Sequence, residues 1–417
     1  MIKIIFVLQL KILLLLVPLL LAKLHGQISY SGSINPGNMV RLSDQSEISL
    51  PFRLAEAEVG YSSGDFEIKT NSALEYRWSN NENELQIREA YLTWYPSWGE
   101  VKLGKQIHAW GAVDGNNPTD NLNPYDYYYM FLPGADRKIG TISGSAKYYW
   151  NDSQIEGVYI PEHEGNRYPF GEKAFPLDIP EAAPDLMDVN AGSEFGIRIQ
   201  STFGSSDFSF SYFNGRDRSF TYVGMNANIP SFFYRKTNVI GFDLVSFIGE
   251  FTNRIEIARF KTHIDMNLDR PYFNNTTYIQ YAEQIEYTTS TDIMLSSQLI
   301  GYIEGIFSLE DLGYTRLVQT TLPELIPGMG TPFASFSDLG LMLSASANYF
   351  DDALELSGNT FMDLKDSQSM LGVSAKYSPM DNLKLNLSVS KFMGEEGTQF
   401  YSMEDFSHLK FGLEYYF

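Results

Sequence analysis

The stretch richest in groups able to do chemistry is 104–138, GKQIHAWGAVDGNNPTDNLNPYDYYYMFLPGADRK. Of its four carboxylates, three come in close succession among turn-forming residues: Asp114 beside Gly115, Asp120 after Pro118-Thr119, and Asp126 after Asn123-Pro124. Gly, Pro, Asn and Asp specify tight turns rather than a loose tail. Tyr127, Tyr128, Tyr129, Met130 and Phe131 follow, and so many large apolar side chains seek burial. A segment built this way folds back against its own protein. Carboxylates held beside a narrow, low-dielectric passage would set a field that favours cations. The same carboxylates can simply cap turns by accepting backbone N–H groups. The oxygens between Asp114 and Asp120 suit a hard cation, but their spacing is not that of an EF-hand, and no metal is assigned.

Catalysis has little to draw on. Residues 27–417 contain His108, His163, His263 and His408, and no G-x-S-x-G nucleophile elbow. The chain has no Cys, which excludes thiol catalysis, thiolate metal sites and disulfide staples. No catalytic residue and no cofactor is expected. The Tyr-rich run offers a surface for sugar rings or hydrocarbon, but packing the loop onto a wall is the simpler use of it.

What positions such a segment is read from the rest of the chain. Residues 1–26, MIKIIFVLQLKILLLLVPLLLAKLHG, give Lys3 and Lys11, an unbroken apolar run from Ile12 to Ala22, and Gly26 before a polar start. That order is a secretory signal peptide, with cleavage expected after Gly26. The apolar run is short of the roughly 20 residues of a spanning helix. Removing Lys3, Lys11 and Lys23 takes the net charge from -21 to -24. Such acidity argues against nucleic acid, which needs clustered Lys and Arg. It suits divalent cations at a cell surface, or cationic solutes.

Residues 27–417 read as one domain of alternating strands. Leu383, Leu385, Leu387 and Val389 take one face, with Lys384, Asn386 and Ser388 on the other. Leu341, Leu343, Ala345, Ala347 and Tyr349 repeat the pattern. So do Phe66, Ile68, Thr70, Leu74, Tyr76 and Trp78 against Glu67, Lys69, Asn71, Glu75 and Arg77. About 18 strands are expected, with 16 as the alternative, because every second connection is tight and the others are mostly long. The tight ones include YSSGD, PSWGE, WND and FGSSD; the long ones are 35–50, 108–138, 162–193, 215–234, 264–274, 305–336 and 393–405. That parity predicts an all-β, closed, up-and-down antiparallel transmembrane barrel, with the loop of interest third on the long side and folded inward. Lys69, Arg77, Lys102, Arg198, Lys376 and Lys384 then point into the lumen, since a charge on the lipid face costs about 2–4 kcal/mol at the midplane. Segment 253–263 breaks the pattern: Arg259 shares the parity of Ile255 and Ile257, which either a bulge or a segment that is not a strand would explain.

The chain ends LKFGLEYYF, with Leu409, Phe411, Leu413, Tyr415 and Phe417 alternating. This is similar to the terminal strand that the barrel-assembly machinery of Gram-negative bacteria recognises. The loop pattern Gly104-Lys105-Gln106, Trp110-Gly111, Pro118-x-Asp120 and Asn123-Pro124-x-Asp126 resembles a loop of porin-like outer-membrane proteins, over about a tenth of the chain. The resemblance implies that Gly104, Gln106, Trp110, Gly111, Asp120, Asn123, Pro124 and Asp126 build a pore-narrowing element. Asp114, Asp120 and Asp126 would form its acidic side, and Lys69, Arg77, Lys102 and Arg198 a basic wall. The expected function is an outer-membrane channel for passive or weakly selective diffusion of small polar solutes, cation-preferring. The alternatives are a specific transporter for sugars or apolar molecules, or a surface barrel without open conductance. Outer-membrane lipid, lipopolysaccharide and the assembly machinery are the expected partners; the sequence leaves the oligomeric state open.

Overall fold

The computed structural model describes residues 26–176, 181–186, 192–263, 270–271, 275–304, 327–330 and 337–417. All but Gly26 of the expected signal peptide lies outside them. Nineteen strand segments form one antiparallel sheet. Two of these, Gln27–Ile34 and Gly37–Arg41, are halves of a single strand interrupted at Asn35-Pro36, and both pair with the last strand, His408–Tyr416. The sheet is therefore a closed ring of 18 strands. Part of the connection expected at 35–50 is thus strand, because Gly37–Arg41 continues the pairing past the proline, which cannot donate to the ladder. The seam closes through Gly32 and Phe417, whose N–H and C=O groups exchange two bonds of 3.0 Å. Gly32 leaves room there for the Phe417 ring, which a Cβ would strike.

Closure follows from the alternation. Lipid has no partner for backbone N–H and C=O groups, so an open edge would cost several kcal/mol per group. The outward set is apolar and exposed: Leu103, Ile142, Tyr159, Ile197, Phe210, Ile240, Ile257, Val373 and Phe411 are examples. Phe66, Trp94, Trp98, Tyr148 and Trp150 touch in series along the short-turn rim, an aromatic girdle. Phe52, Tyr76 and Trp78 form a patch at the opposite rim.

Bulges re-aim two arginines. Leu54 and Arg88 are extra residues in their strands, and Arg53 and Arg88 reach inward to loop carbonyls. No bulge occurs at Arg259. Strand Phe251–His263 keeps unbroken register with both neighbours, so Arg259 lies on the outward face opposite Ile240 and Ile279. The long connections hold some structure of their own: a hairpin, Thr221–Asn226 with Ile229–Phe233, and a short helix, Gln399–Ser402.

Candidate functional site

The loop after the fifth strand, Gly99–Gln106, crosses the lumen. Its first half reaches inward groups on the eleventh to fourteenth strands: Glu256, Gln284, Gln298 and Met342. In a ring of 18 the fourteenth strand stands opposite the fifth. Its second half turns back to the second, third and fourth strands. There Arg53 donates to the carbonyl of Asp136 (2.7 Å), Tyr129 to Glu75 (2.8 Å) and Arg88 to the carbonyl of Ala135 (3.0 Å).

The base of the loop is stitched by Asn123. Its Nδ2 donates to the carbonyls of Gln106 (3.0 Å) and Ile139 (2.9 Å), while its Oδ1 accepts from the His108 backbone N–H at 2.6 Å. Gln106 Nε2 bonds the Ser143 carbonyl at 2.9 Å, and the Ile139 N–H bonds the Pro124 carbonyl at 2.9 Å. Trp110 is buried; its indole donates to Glu156 at 2.9 Å and its ring packs where Gly196 has no side chain. Gly104 and Gly111 hold φ of 135° and 94°, conformations that disfavour other residues. A Cβ on Gly104 would also meet the Ala90 carbonyl, and one on Gly111 would meet Glu256.

Glu256 is the main anchor. Its Oε1 accepts the backbone N–H groups of Ala112 (2.5 Å) and Val113 (2.7 Å) and the side-chain amide of Asn117 (2.8 Å). Its Oε2 accepts the backbone N–H of Thr119 (3.2 Å) and the Thr119 hydroxyl (2.8 Å). Five donors and complete burial describe an ionised, acceptor-only carboxylate that replaces water for a whole turn of loop.

The three loop aspartates have different surroundings, which departs from the expectation that together they form one acidic side. Asp114 has a side chain 67% exposed to the lumen, 3.5 Å from Arg254, and receives a 3.0 Å bond from Gln284. Asp120 is buried in an ion pair with Lys138, whose ammonium also donates to the His108 carbonyl at 3.0 Å. Burial pushes the Asp120 carboxyl above its usual range, and Lys138 pulls it part of the way back. Asp126 is buried too. It caps the turn at Tyr127–Tyr129 by accepting the Tyr128 N–H, and it pairs with Arg167 at 3.0 Å. Turn-capping and burial, not exposure to a passage, describe Asp120 and Asp126.

The four cations expected to face them do not gather into one wall. Lys69 pairs with Glu58 (2.9 Å), Lys102 with Glu100 (3.1 Å) and Arg198 with Asp243 (2.9 Å), on the third, fifth and eighth strands, and Arg77, just past the end of the third, pairs with Glu172. All project inward, each beside an acid. Much of the Tyr-rich run is buried: Tyr127 and Met130 join Phe361, Phe392, Phe400 and Phe406 in an apolar cluster inside the barrel, Tyr129 is buried against Glu75, and Tyr128 and Phe131 stay partly exposed. Beyond that cluster the thirteenth to seventeenth strands turn small polar groups inward, among them Ser296, Ser344, Ser357, Ser374, Asn386 and Ser388. Hydroxyls thus gather on this part of the wall, beside the inward Lys376–Glu355 pair.

His108 Nε2 lies 3.0 Å from Ser143 Oγ, a pairing that elsewhere activates a nucleophile. Here burial, with Lys138 adding repulsion, lowers the imidazole to about 3, so it is a weak base locked in the loop seam.

Comparison with solved structures gives the same architecture. OccAB1 of Acinetobacter baumannii aligns over 94% of this chain and 95% of its own, with a TM-score of 0.55 and 7% identity. The fold is that of an outer-membrane β-barrel. OccK5 (OpdH) of Pseudomonas aeruginosa gives 0.54 at 10% identity over 94% and 97%, and the Pseudomonas outer membrane protein opdK 0.53 at 8% over 94% and 99%. No family model matches the sequence, and comparison with curated proteins returns no match.

Glu256, Lys138 and Arg167 are the site residues that sequence reasoning passed over. A signal for Glu256 was present: it lies between Ile255 and Ile257, so strand parity turns a lone acid inward at mid-strand.

Proposed function

We propose that this barrel is a channel for passive diffusion of small polar solutes, that cations are preferred, and that it is not an enzyme. The observation that carries the proposal is the lumen-crossing loop, held by Glu256, that leaves Asp114 as the exposed carboxylate of its inward-reaching first half. A barrel of this size encloses an aqueous bore that something must narrow. The route that best accommodates a solute runs between the Asp114 turn and the serine-lined wall of the thirteenth to seventeenth strands. Asp114, Arg254 and Glu286 sum to one negative charge there. Burial of Tyr127 and Tyr129 removes both rings as a platform for stacking sugars. Purified protein in planar bilayers should conduct, and Asp114→Asn should lower the cation/anion permeability ratio about two- to fourfold, from one charge a few ångströms from the path. Asp120→Asn and Asp126→Asn should leave the reversal potential unchanged in protein shown to be folded. Silence in the bilayer would overturn the channel; an unmoved ratio in Asp114→Asn would overturn the route.

A further inference from the structure

Asp114 stands at the edge of a field of hydroxyls that strand register assembles. Gln284 Nε2 reaches both the Asp114 carboxylate (3.0 Å) and Ser296 Oγ (3.4 Å), so the exposed acid and the first serine of the wall lie at one level. Ser296 is directly opposite Ser344 on the fourteenth strand. One step nearer the short-turn rim, Ser346, Ser357, Ser374 and Ser388 stand opposite one another in turn on the fourteenth to seventeenth strands. Opposed side chains in such rows lie about 4.5–5.5 Å apart, so these serines form one continuous surface. Ser357 and Ser374 bond each other at 2.7 Å; Ser344 is exposed to the lumen, and Ser346 and Ser388 are half-buried.

The charges that border this surface are unequal. At the loop edge, Asp114 and Glu286 outnumber Arg254. Nearer the short-turn rim, Lys376 and Glu355 cancel. At the far edge Lys410 stands opposite Ser388, five strands from Ser296 and so about 24 Å away along the wall. A small solute on the serines beside the loop therefore meets the negative edge alone. A hydroxyl is donor and acceptor at once and carries no charge. A wall of hydroxyls takes over the water bonds of a solute that is itself rich in hydroxyls, with no ion pair to break. An apolar solute would displace the same water and leave the serines unpaired. A bare inorganic cation is drawn to Asp114 but makes no use of hydroxyls several strands away. The surface as a whole fits a solute with a positive end and a hydroxylated body.

We propose that the solute selected on this route is a small polyhydroxylated ammonium ion, of the amino-sugar or amino-polyol class, with its ammonium at Asp114 and its hydroxyls on Ser296, Ser344, Ser346 and Ser357 in place of water. This substrate class rests on the channel reading given above and narrows it. The ammonium supplies a charge-assisted bond to the carboxylate, and the hydroxyls supply the fit that separates this solute from other cations.

The test uses the full folded barrel and three probes of similar size: protonated glucosamine, glucose, which lacks the charge, and cyclohexylammonium, which lacks the hydroxyls. Binding is read by saturation-transfer NMR on the barrel in detergent, and passage by transient block of the current in planar bilayers. Glucosamine should bind about fivefold or more tightly than either of the others. Asp114→Asn should bring glucosamine down to the level of glucose. The combined variant Ser344→Ala, Ser346→Ala, Ser357→Ala should bring it down to the level of cyclohexylammonium, with heat-modifiable mobility retained. Should that variant fail to fold, Ser344→Ala with Ser346→Ala on the one strand carries the same expectation at about twofold. Glucosamine no tighter than both controls would overturn the substrate class, and if the wild type still conducts with a cation preference that Asp114→Asn lowers, the channel reading stands without it. Unchanged glucosamine binding in the folded serine variant would overturn the role of the hydroxyl surface. A barrel silent in bilayers that binds glucosamine with these preferences would overturn the channel and keep the site.

Discussion

Removing the Glu256 carboxylate should release the loop into the lumen's solvent. In Glu256→Ala five donors lose their acceptor at once, the N–H groups of Ala112, Val113 and Thr119, the Asn117 amide and the Thr119 hydroxyl. Bonds to a charged acceptor contribute about 1.5–3 kcal/mol each, but they are not additive, and the buried carboxylate itself costs several kcal/mol to desolvate. A net loss of about 3–5 kcal/mol remains, which multiplies the population of loop-open molecules by about 10² or more. Glu256→Gln is the graded comparison. It keeps one oxygen for the Ala112, Val113 and Asn117 donors but sets an NH2 against the Thr119 N–H, costing about 1–3 kcal/mol. Because the chain lacks cysteine, Val113→Cys supplies a unique thiol, buried at 3% exposure while the loop is docked. Maleimide labelling of that thiol reports the open fraction, and single-channel conductance reports the bore. In the Val113→Cys background, labelling should rise about 100-fold with Glu256→Ala and less with Glu256→Gln, and conductance should rise in the same order. Unchanged labelling and conductance in folded Glu256→Ala protein would mean that the loop is held by its aromatic half, and that the anchor is misassigned.

Two further predictions concern the seam of the loop and the seam of the barrel. Burial holds His108 at about 3, below its usual 6.5, so the docked loop favours the neutral imidazole. Docking is then unaffected above about pH 6.5 and weakens as pH falls from there toward 3, by about 2 kcal/mol at pH 5; limited proteolysis within 107–138 should accelerate over that window, and a flat profile would refute it. Deleting Phe417, or replacing Gly32 with Leu beneath its ring, should disturb closure and lower the yield of heat-modifiable, membrane-inserted barrel. Normal yield in both variants would count against the role of that terminal pair.

Strand alternation determined the barrel, because the period of two fixes which residues meet lipid and lipid forbids an open edge. The tight and long connections then set the order of strands. Leu383, Leu385, Leu387 and Val389 were enough to orient their strand, and all 18 strands follow positions readable in the chain. The presence of a folded, turn-rich loop at 104–138 was equally legible from its Gly, Pro, Asn, Asp and Tyr. What tertiary structure decided is which groups of that loop face water. Asp114, Asp120 and Asp126 look alike in sequence, since each sits beside turn formers. Their fates differ because Lys138 folds back from the end of the same loop onto Asp120, Arg167 reaches Asp126 from the next long connection, and Gln284 meets Asp114 from a strand more than 100 residues away. The basic side chains show the same division. Parity alone turns Arg198 inward and Arg259 outward, but only the register between strands shows that Arg198 meets Asp243 and that Arg259 lies opposite Ile240 and Ile279. Local sequence specifies the face of each strand; which charges become neighbours depends on long-range register, and that is set when the whole ring closes.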